Sequence, residues 1–290
     1  MTFLDDLKSG KTIIFDGGMG SLLAVKGLSL TGAANNLEHP DQVQQVHEEY
    51  IEAGADCIIT NTLTLNEIYM SKKGAAPIDI DAANIAGAQI AKKAAAKGAY
   101  VFGDLGPTGE MLAPLGAGKA DDFYKAYVRQ SQTLYEAGVD GFIIETVFDL
   151  NEALLALKAC KEVADLPVIV SLTFSTVKKG GRTVMGNSAA DCAQKASEAG
   201  ADVVGANCGD LTPLEMAEIV ANMKPAGLPV MVQPNAGKPI FDEGKARYHM
   251  SPEDFASGMK ACFEAGAQIF GGCCGTTPEH IKALADILRA

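Results

Sequence analysis

Short apolar runs rich in β-branched residues alternate with longer amphipathic stretches along the whole chain. Ile13-Ile14-Phe15 leads into Asp16-Gly17-Gly18, and Cys57-Ile58-Ile59 into Thr60-Asn61-Thr62. Tyr100-Val101-Phe102 leads into Gly103-Asp104, and Phe142-Ile143-Ile144 into Glu145-Thr146. Val168 to Phe174 is a fifth run, and Val203-Val204-Gly205 ends at Ala206-Asn207-Cys208. Val230-Met231-Val232 ends at Gln233-Pro234-Asn235, and Gln268-Ile269-Phe270 at Gly271-Gly272-Cys273-Cys274. Continuous apolar runs of this length suit strands buried on both faces, as parallel strands are.

The stretches between them read as helices. Phe123, Tyr127, Gln130 and Leu134, like Ile281, Leu284 and Leu288, follow three-and-four spacing. Thr212-Pro213, Ser251-Pro252 and Thr277-Pro278 put a capping hydroxyl before a proline at the first helical position. A phrase beginning Glu-Ala-Gly recurs at Glu52, Glu136, Glu198 and Glu264. Its glycine stands where a helix end requires a left-handed residue before the chain turns into a strand. Eight strand–helix pairs over residues 1–290 predict an α/β fold, a single (β/α)8 TIM barrel. A doubly wound sheet shows the same alternation, but there is no Gly-x-Gly-x-x-Gly loop and no composition shift between halves. The segment from Gly103 to Lys119, with Pro107, Pro114 and five glycines, is expected to loop over the barrel mouth.

Composition narrows the possibilities. Nearly half of the 290 residues are hydrophobic (48%), enough for a full core. Acidic residues outnumber basic ones by 36 to 24, a net charge of −12. That balance argues against a broad phosphate-binding surface, so no nucleic-acid partner is expected. The opening MTFLDDLKSGK lacks the basic and apolar regions of an export signal, and no apolar run approaches the roughly 20 residues that span a bilayer. A cytoplasmic protein without a membrane partner is expected, its seven cysteines reduced.

Position carries the chemical information. Asp16, Asn61, Asp104, Glu145, Asn207, Cys208, Asn235, Cys273 and Cys274 all follow an apolar run. In a barrel those strand ends gather at the C-terminal face, where such folds keep their chemistry. No C-x-x-C pair exists, which removes zinc-finger, zinc-ribbon and thioredoxin-like readings. Cys208 after the sixth strand and Cys273-Cys274 after the eighth can still converge, because even-numbered strands feed a common layer. Three thiolates suit zinc and leave its fourth position open. Their formal charge favours activating an incoming thiol over hydrolysis by bound water. Spacing alone leaves a redox or structural role for the vicinal pair open. Cys57, Cys160, Cys192 and Cys262, in apolar contexts, read as small buried hydrophobes. His39, His47 and His249 read as non-functional residues in polar settings, and His280 as a support for the cysteine loop.

The run from Gly271 through Cys273, Cys274, Gly275, Thr276, Thr277, Pro278, Glu279 and His280, with Asn207-Cys208 upstream, resembles the zinc-dependent homocysteine S-methyltransferase family. The likeness extends through Asp16-Gly17-Gly18-Met19-Gly20, Gly106-Pro107-Thr108-Gly109, Glu145-Thr146 and Pro234-Asn235-Ala236-Gly237-Lys238-Pro239. It looks most like the homocysteine-binding domain of cobalamin-dependent methionine synthase. The resemblance implies zinc on Cys208, Cys273 and Cys274, with Asn235 as an oxygen ligand when substrate is absent. It also implies that Asp16, the Gly17 and Gly18 backbone and Glu145 hold the amino-acid end of L-homocysteine, with Asn61 and Asp104 as supports. Two departures border the mouth: Gly209-Asp210-Leu211-Thr212-Pro213 after Cys208, and Leu63 where relatives often carry phenylalanine.

On this resemblance the expected activity is methyl transfer to homocysteine, forming methionine. The Cys-Cys-Gly-Thr-Thr-Pro form looks like the corrinoid-linked branch, which implies methylcobalamin carried by a separate corrinoid protein as donor. Two alternatives stand beside it: a betaine- or S-methylmethionine-dependent transferase, and a zinc-holding homocysteine-binding subunit of a larger methyltransferase complex.

Overall fold

The computed structural model describes the chain except residues 1, 30, 31, 33, 73–77, 243 and 244. Each predicted strand is present: β1 (Ile13–Ile14), β2 (Cys57–Ile59), β3 (Tyr100–Leu105), β4 (Gly141–Val147), β5 (Val168–Leu172), β6 (Val203–Asn207), β7 (Val230–Gln233) and β8 (Ile269–Phe270). They form one parallel sheet ordered β1-β8-β7-β6-β5-β4-β3-β2. A parallel bridge between Phe15 and Cys57 joins the two ends, and Asp56 N–H donates to Ile14 O at 2.7 Å. The sheet thus closes into a single (β/α)8 barrel with helices between its strands.

Alternation along each strand sorts the core into two layers. Ile13, Phe15, Cys57, Ile59, Phe102, Ile143, Ile169, Val203, Met231 and Ile269 pack together inside the barrel. Their neighbours Ile14, Ile58, Val101, Ile144, Val170, Val204, Val232 and Phe270 belong to the larger core shared with the helices. The helix Phe3–Lys8 plugs the N-terminal end: the Phe3 ring meets Phe102 at 4.7 Å and Phe15 at 6.2 Å. Burying one such ring contributes about 1.5–3 kcal/mol. With the lower layers filled mostly by apolar groups, inward acidic and amide side chains gather at the top. Two residues beyond Phe102, Ile143, Gly205 and Met231 stand Asp104, Glu145, Asn207 and Gln233, all buried.

The Glu-Ala-Gly phrases behave as predicted. Gly54, Gly138, Gly200 and Gly266 all have φ between 90° and 109°, the left-handed region that ends a helix.

The mouth departs from the predicted outline in three ways. Helices Met19–Val25 and Asn35–Glu38 precede the barrel helix Pro40–Glu52, and helix Glu67–Lys72 follows β2. A hairpin of Ile240–Asp242 and Lys245–Arg247 lies between β7 and helix Pro252–Glu264. The segment after β3 packs beside helix Glu67–Lys72, where Lys72 pairs with Glu110 at 2.9 Å. Glu152 anchors that segment by accepting from the Thr108 N–H and hydroxyl at 2.7 and 2.8 Å.

His47 also differs from its expected polar setting. It lies on helix Pro40–Glu52, fully buried, with neither ring nitrogen hydrogen-bonded, and burial lowers its pKa to about 3. A helical pattern places a residue on a face but does not say that a polar one faces outward. Among the described residues, no helix is long and apolar enough to cross a membrane.

Candidate functional site

The end of β7 splices the two cysteine segments together. Cys208 N–H donates to Gln233 O at 3.0 Å, Cys273 N–H to Pro234 O at 2.9 Å, and Ala236 N–H to Cys274 O at 3.0 Å. The sulfurs of Cys208, Cys273 and Cys274 consequently lie within 4.8 Å of one another. Sulfurs each about 2.3 Å from one tetrahedral zinc would stand roughly 3.8 Å apart, so the spacing fits a shared ion. Cys208 has a left-handed backbone, φ +56°, which costs a non-glycine residue about 1–2 kcal/mol. The strain sits where strand β6 must turn its next side chain toward the centre.

Asn235 lies between the two segments. Its Nδ2 donates to Gly209 O at 2.8 Å, while its Oδ1 is sealed from solvent without a partner. A buried carbonyl oxygen left unpaired costs about 1–3 kcal/mol. An oxygen in that state is available to a cation. Three thiols at this spacing fit zinc.

The three thiols hydrogen-bond to one another. Hydrogen bonds with Cys208 and Cys273 lower Cys274 to about 3, whereas bonds with Cys208 and Cys274, together with burial, push Cys273 well up. The phenol of Tyr248 adds a further hydrogen bond to Cys274. Its ring lies on Gly275, where an added Cβ would fall 2.2 Å from Tyr248 Cγ. Sequence reasoning misses Tyr248, because it arrives from the 236–250 connection and not from a strand end. His280 supports the same region: its Nδ1 accepts from Thr277 N–H at 3.2 Å, and its Nε2 meets Met250 O at 3.0 Å.

Beside the sulfurs opens a cavity of about 210 Å³ lined by Asp16, Gly17, Gly18, Asp104, Glu145, Gln233, Cys273 and Cys274, among others. Asp16 is 2% exposed, Asp104 4% and Glu145 9%. Burial and the charge of Cys208 push Glu145 up to about 8, and burial pushes Asp16 and Asp104 well up as well. Among the described residues, no cationic side chain is a leading influence on any of the three. One bulge aims Glu145: β4 carries an extra residue between Ile144 and Val147 against β5, and Thr146 there has φ +62°.

Gly17 and Gly18 are packed against the cysteine turn. A Cβ on Gly18 would fall 2.6 Å from Cys273 O, and one on Gly17 would fall 2.6 Å from Thr276 Oγ1. Gly18 N–H donates to Thr276 Oγ1 at 3.0 Å. Asn61 ties loops together, donating to Gly32 O and Asn36 Oδ1, each at 2.9 Å. Cys57, Cys160, Cys192 and Cys262 are buried away from the cluster, as small hydrophobes.

The model of the homocysteine S-methyltransferase family matches residues 13–288. Methionine synthases of Mycobacterium tuberculosis and Mycobacterium leprae are each 30% identical to the chain, over 98% and 95% of it. The chain spans about a quarter of their length, 25% and 24%. The homocysteine methyltransferase MmuM from Escherichia coli, in its metallated form, has the same fold, with a TM-score of 0.80 over 98% of both chains at 22% identity. With a family match across nearly its whole length, the chain belongs to the homocysteine S-methyltransferase family.

Proposed function

We propose that this barrel transfers a methyl group to the thiol of L-homocysteine, forming methionine, at a zinc ion held by Cys208, Cys273 and Cys274. The observation that carries the reading is the meeting of three sulfurs beside an unpaired buried amide oxygen, at the edge of an acidic cavity. Zinc bound there supplies the charge that lets a substrate thiol lose its proton near neutral pH. Asn235 Oδ1 is the fourth donor while substrate is absent.

The remaining residues orient the amino acid. Asp16 and Glu145 receive the ammonium group, and their mutual burial without a cation fits that charge. Gly17 and Gly18 let the substrate carboxylate approach the backbone. Because Gly18 N–H already serves Thr276, we assign the direct donation to Gly17. A cavity of this size admits one small amino acid. A carbon–sulfur bond then forms as the donor's bond to the methyl group breaks.

The donor in this reading is methylcobalamin, carried by a corrinoid protein or domain. The Cys273–Pro278 run and the 30% identity to two methionine synthases support that choice. The test offers zinc-loaded protein homocysteine with methylcobalamin, betaine or S-methylmethionine in turn. Methionine from methylcobalamin is expected. Turnover with betaine or S-methylmethionine alone overturns the donor, and no methionine with any donor overturns the transferase reading.

A further inference from the structure

Asp104 carries at the cavity a carboxyl oxygen that no described residue serves. Strand alternation carries its side chain inward two residues above Phe102. Its backbone is fully engaged: its N–H donates to Thr60 Oγ1 at 3.0 Å, and its carbonyl accepts from Thr62 Oγ1 at 2.9 Å. Its Oδ1, by contrast, is sealed from solvent and has no hydrogen-bond partner, although the side chain lines the cavity. Asp16 is different, because its Oδ2 accepts the Ile59 N–H at 3.0 Å. A buried unpaired oxygen of this kind weakens the fold unless something else completes it.

We propose that Asp104 is the third acceptor for the substrate's ammonium group, beside Asp16 and Glu145, and so selects α-amino thiols with an unsubstituted amine. A primary ammonium has three N–H donors, and three inward carboxyls match it one for one. Burial, then the charges of Glu145 and Asp16, hold the Asp104 carboxyl toward its neutral form. A neutral acid still offers a carbonyl oxygen, so the third contact does not require a third full charge in the cavity. Asp104 is thus a specificity residue at the amine end, not only the loop support that strand-end position suggests. The inference rests on the homocysteine reading above.

The test measures binding to zinc-loaded wild type and Asp104→Leu by calorimetry. The ligands are homocysteine and 4-mercaptobutanoate, which keeps the thiol and carboxylate but lacks the amine. In Asp104→Leu, homocysteine affinity should fall at least tenfold, while the response to 4-mercaptobutanoate stays as in wild type. Zinc content should be unchanged and Tm no lower, because the substitution removes an unpaired buried oxygen. Asp104→Asn, which keeps a carbonyl acceptor, should lose less than Asp104→Leu. Unchanged homocysteine affinity in Asp104→Leu, or equal losses for both ligands, overturns the inference. Wild type that binds no homocysteine would instead overturn the function proposed above.

Discussion

Thr146 and Asn207 are joined by two reciprocal hydrogen bonds: Thr146 N–H donates to Asn207 Oδ1 at 3.0 Å, and Asn207 Nδ2 donates to Thr146 Oγ1 at 2.8 Å. Ser171 Oγ donates to the same Oδ1 at 2.9 Å. Glu145 immediately precedes Thr146, and Cys208 immediately follows Asn207. One amide therefore sets the separation of the Glu145 carboxyl from the Cys208 sulfur. It also braces two left-handed residues, Thr146 and Cys208. Asn207→Ala should destabilise the fold by about 1–3 kcal/mol, because buried partners lose their bonds. Zinc affinity should fall roughly tenfold to a hundredfold. Denaturant unfolding and chelator competition measure the two effects.

Cys208→Ala, Cys273→Ala and Cys274→Ala should each lose zinc and methyl transfer together. The three sulfurs lie at the mouth, outside both main core clusters. Metal-free variants should therefore unfold within about 1 kcal/mol of metal-free wild type. Zinc should raise the wild-type midpoint and leave the variants unmoved. Full zinc stoichiometry in any one variant would remove that cysteine from the site.

Gly275 and Tyr248 form a second coupled pair. Gly275→Ala must hold a side chain at φ +79° and displace the Tyr248 ring. It should cost about 1–3 kcal/mol. Adding Tyr248→Ala should recover the steric part of that cost and leave the backbone part. Tyr248→Phe keeps the ring but removes the bond to Cys274, so it should alter zinc affinity with little change in stability. A cobalt-substituted sample reports the same loss as a shift of its sulfur-to-metal absorption band.

His47 gives the protein a defined acid sensitivity. Its folded pKa, about 3, lies below the ordinary 6.5, so the unfolded chain binds the proton more readily. Its contribution is complete above pH 6.5 and is lost as the pH falls toward 3, by about 1.4 kcal/mol per unit. His47→Leu should flatten that part of the stability–pH curve. An unchanged slope in the variant would assign the sensitivity to other groups.

The barrel was legible because its cause is periodic. Buried apolar strands, capped helices and a left-handed glycine at four helix ends repeat through the chain, and strand ends must gather on one face. Cys208, Cys273 and Cys274 were legible for the same reason: Cys208 directly follows β6, and Cys273 and Cys274 lie three and four residues beyond β8. Tyr248 was not, since it reaches Cys274 from a connection whose hairpin carries no strand-like apolar run. Asp104 was legible as a position, but the unpaired state of its Oδ1 depends on packing that no local pattern encodes. The extra helices after β1 and β2 escaped for a related reason: they are short and belong to the mouth, not to the repeat.

Zinc X-ray absorption of the reduced, zinc-loaded protein, with and without homocysteine, tests the central claim most directly. The account predicts three sulfurs and one oxygen around zinc in the free protein, and four sulfurs once homocysteine is added. Coordination that homocysteine leaves unchanged, or reduced protein that binds no zinc, would contradict it.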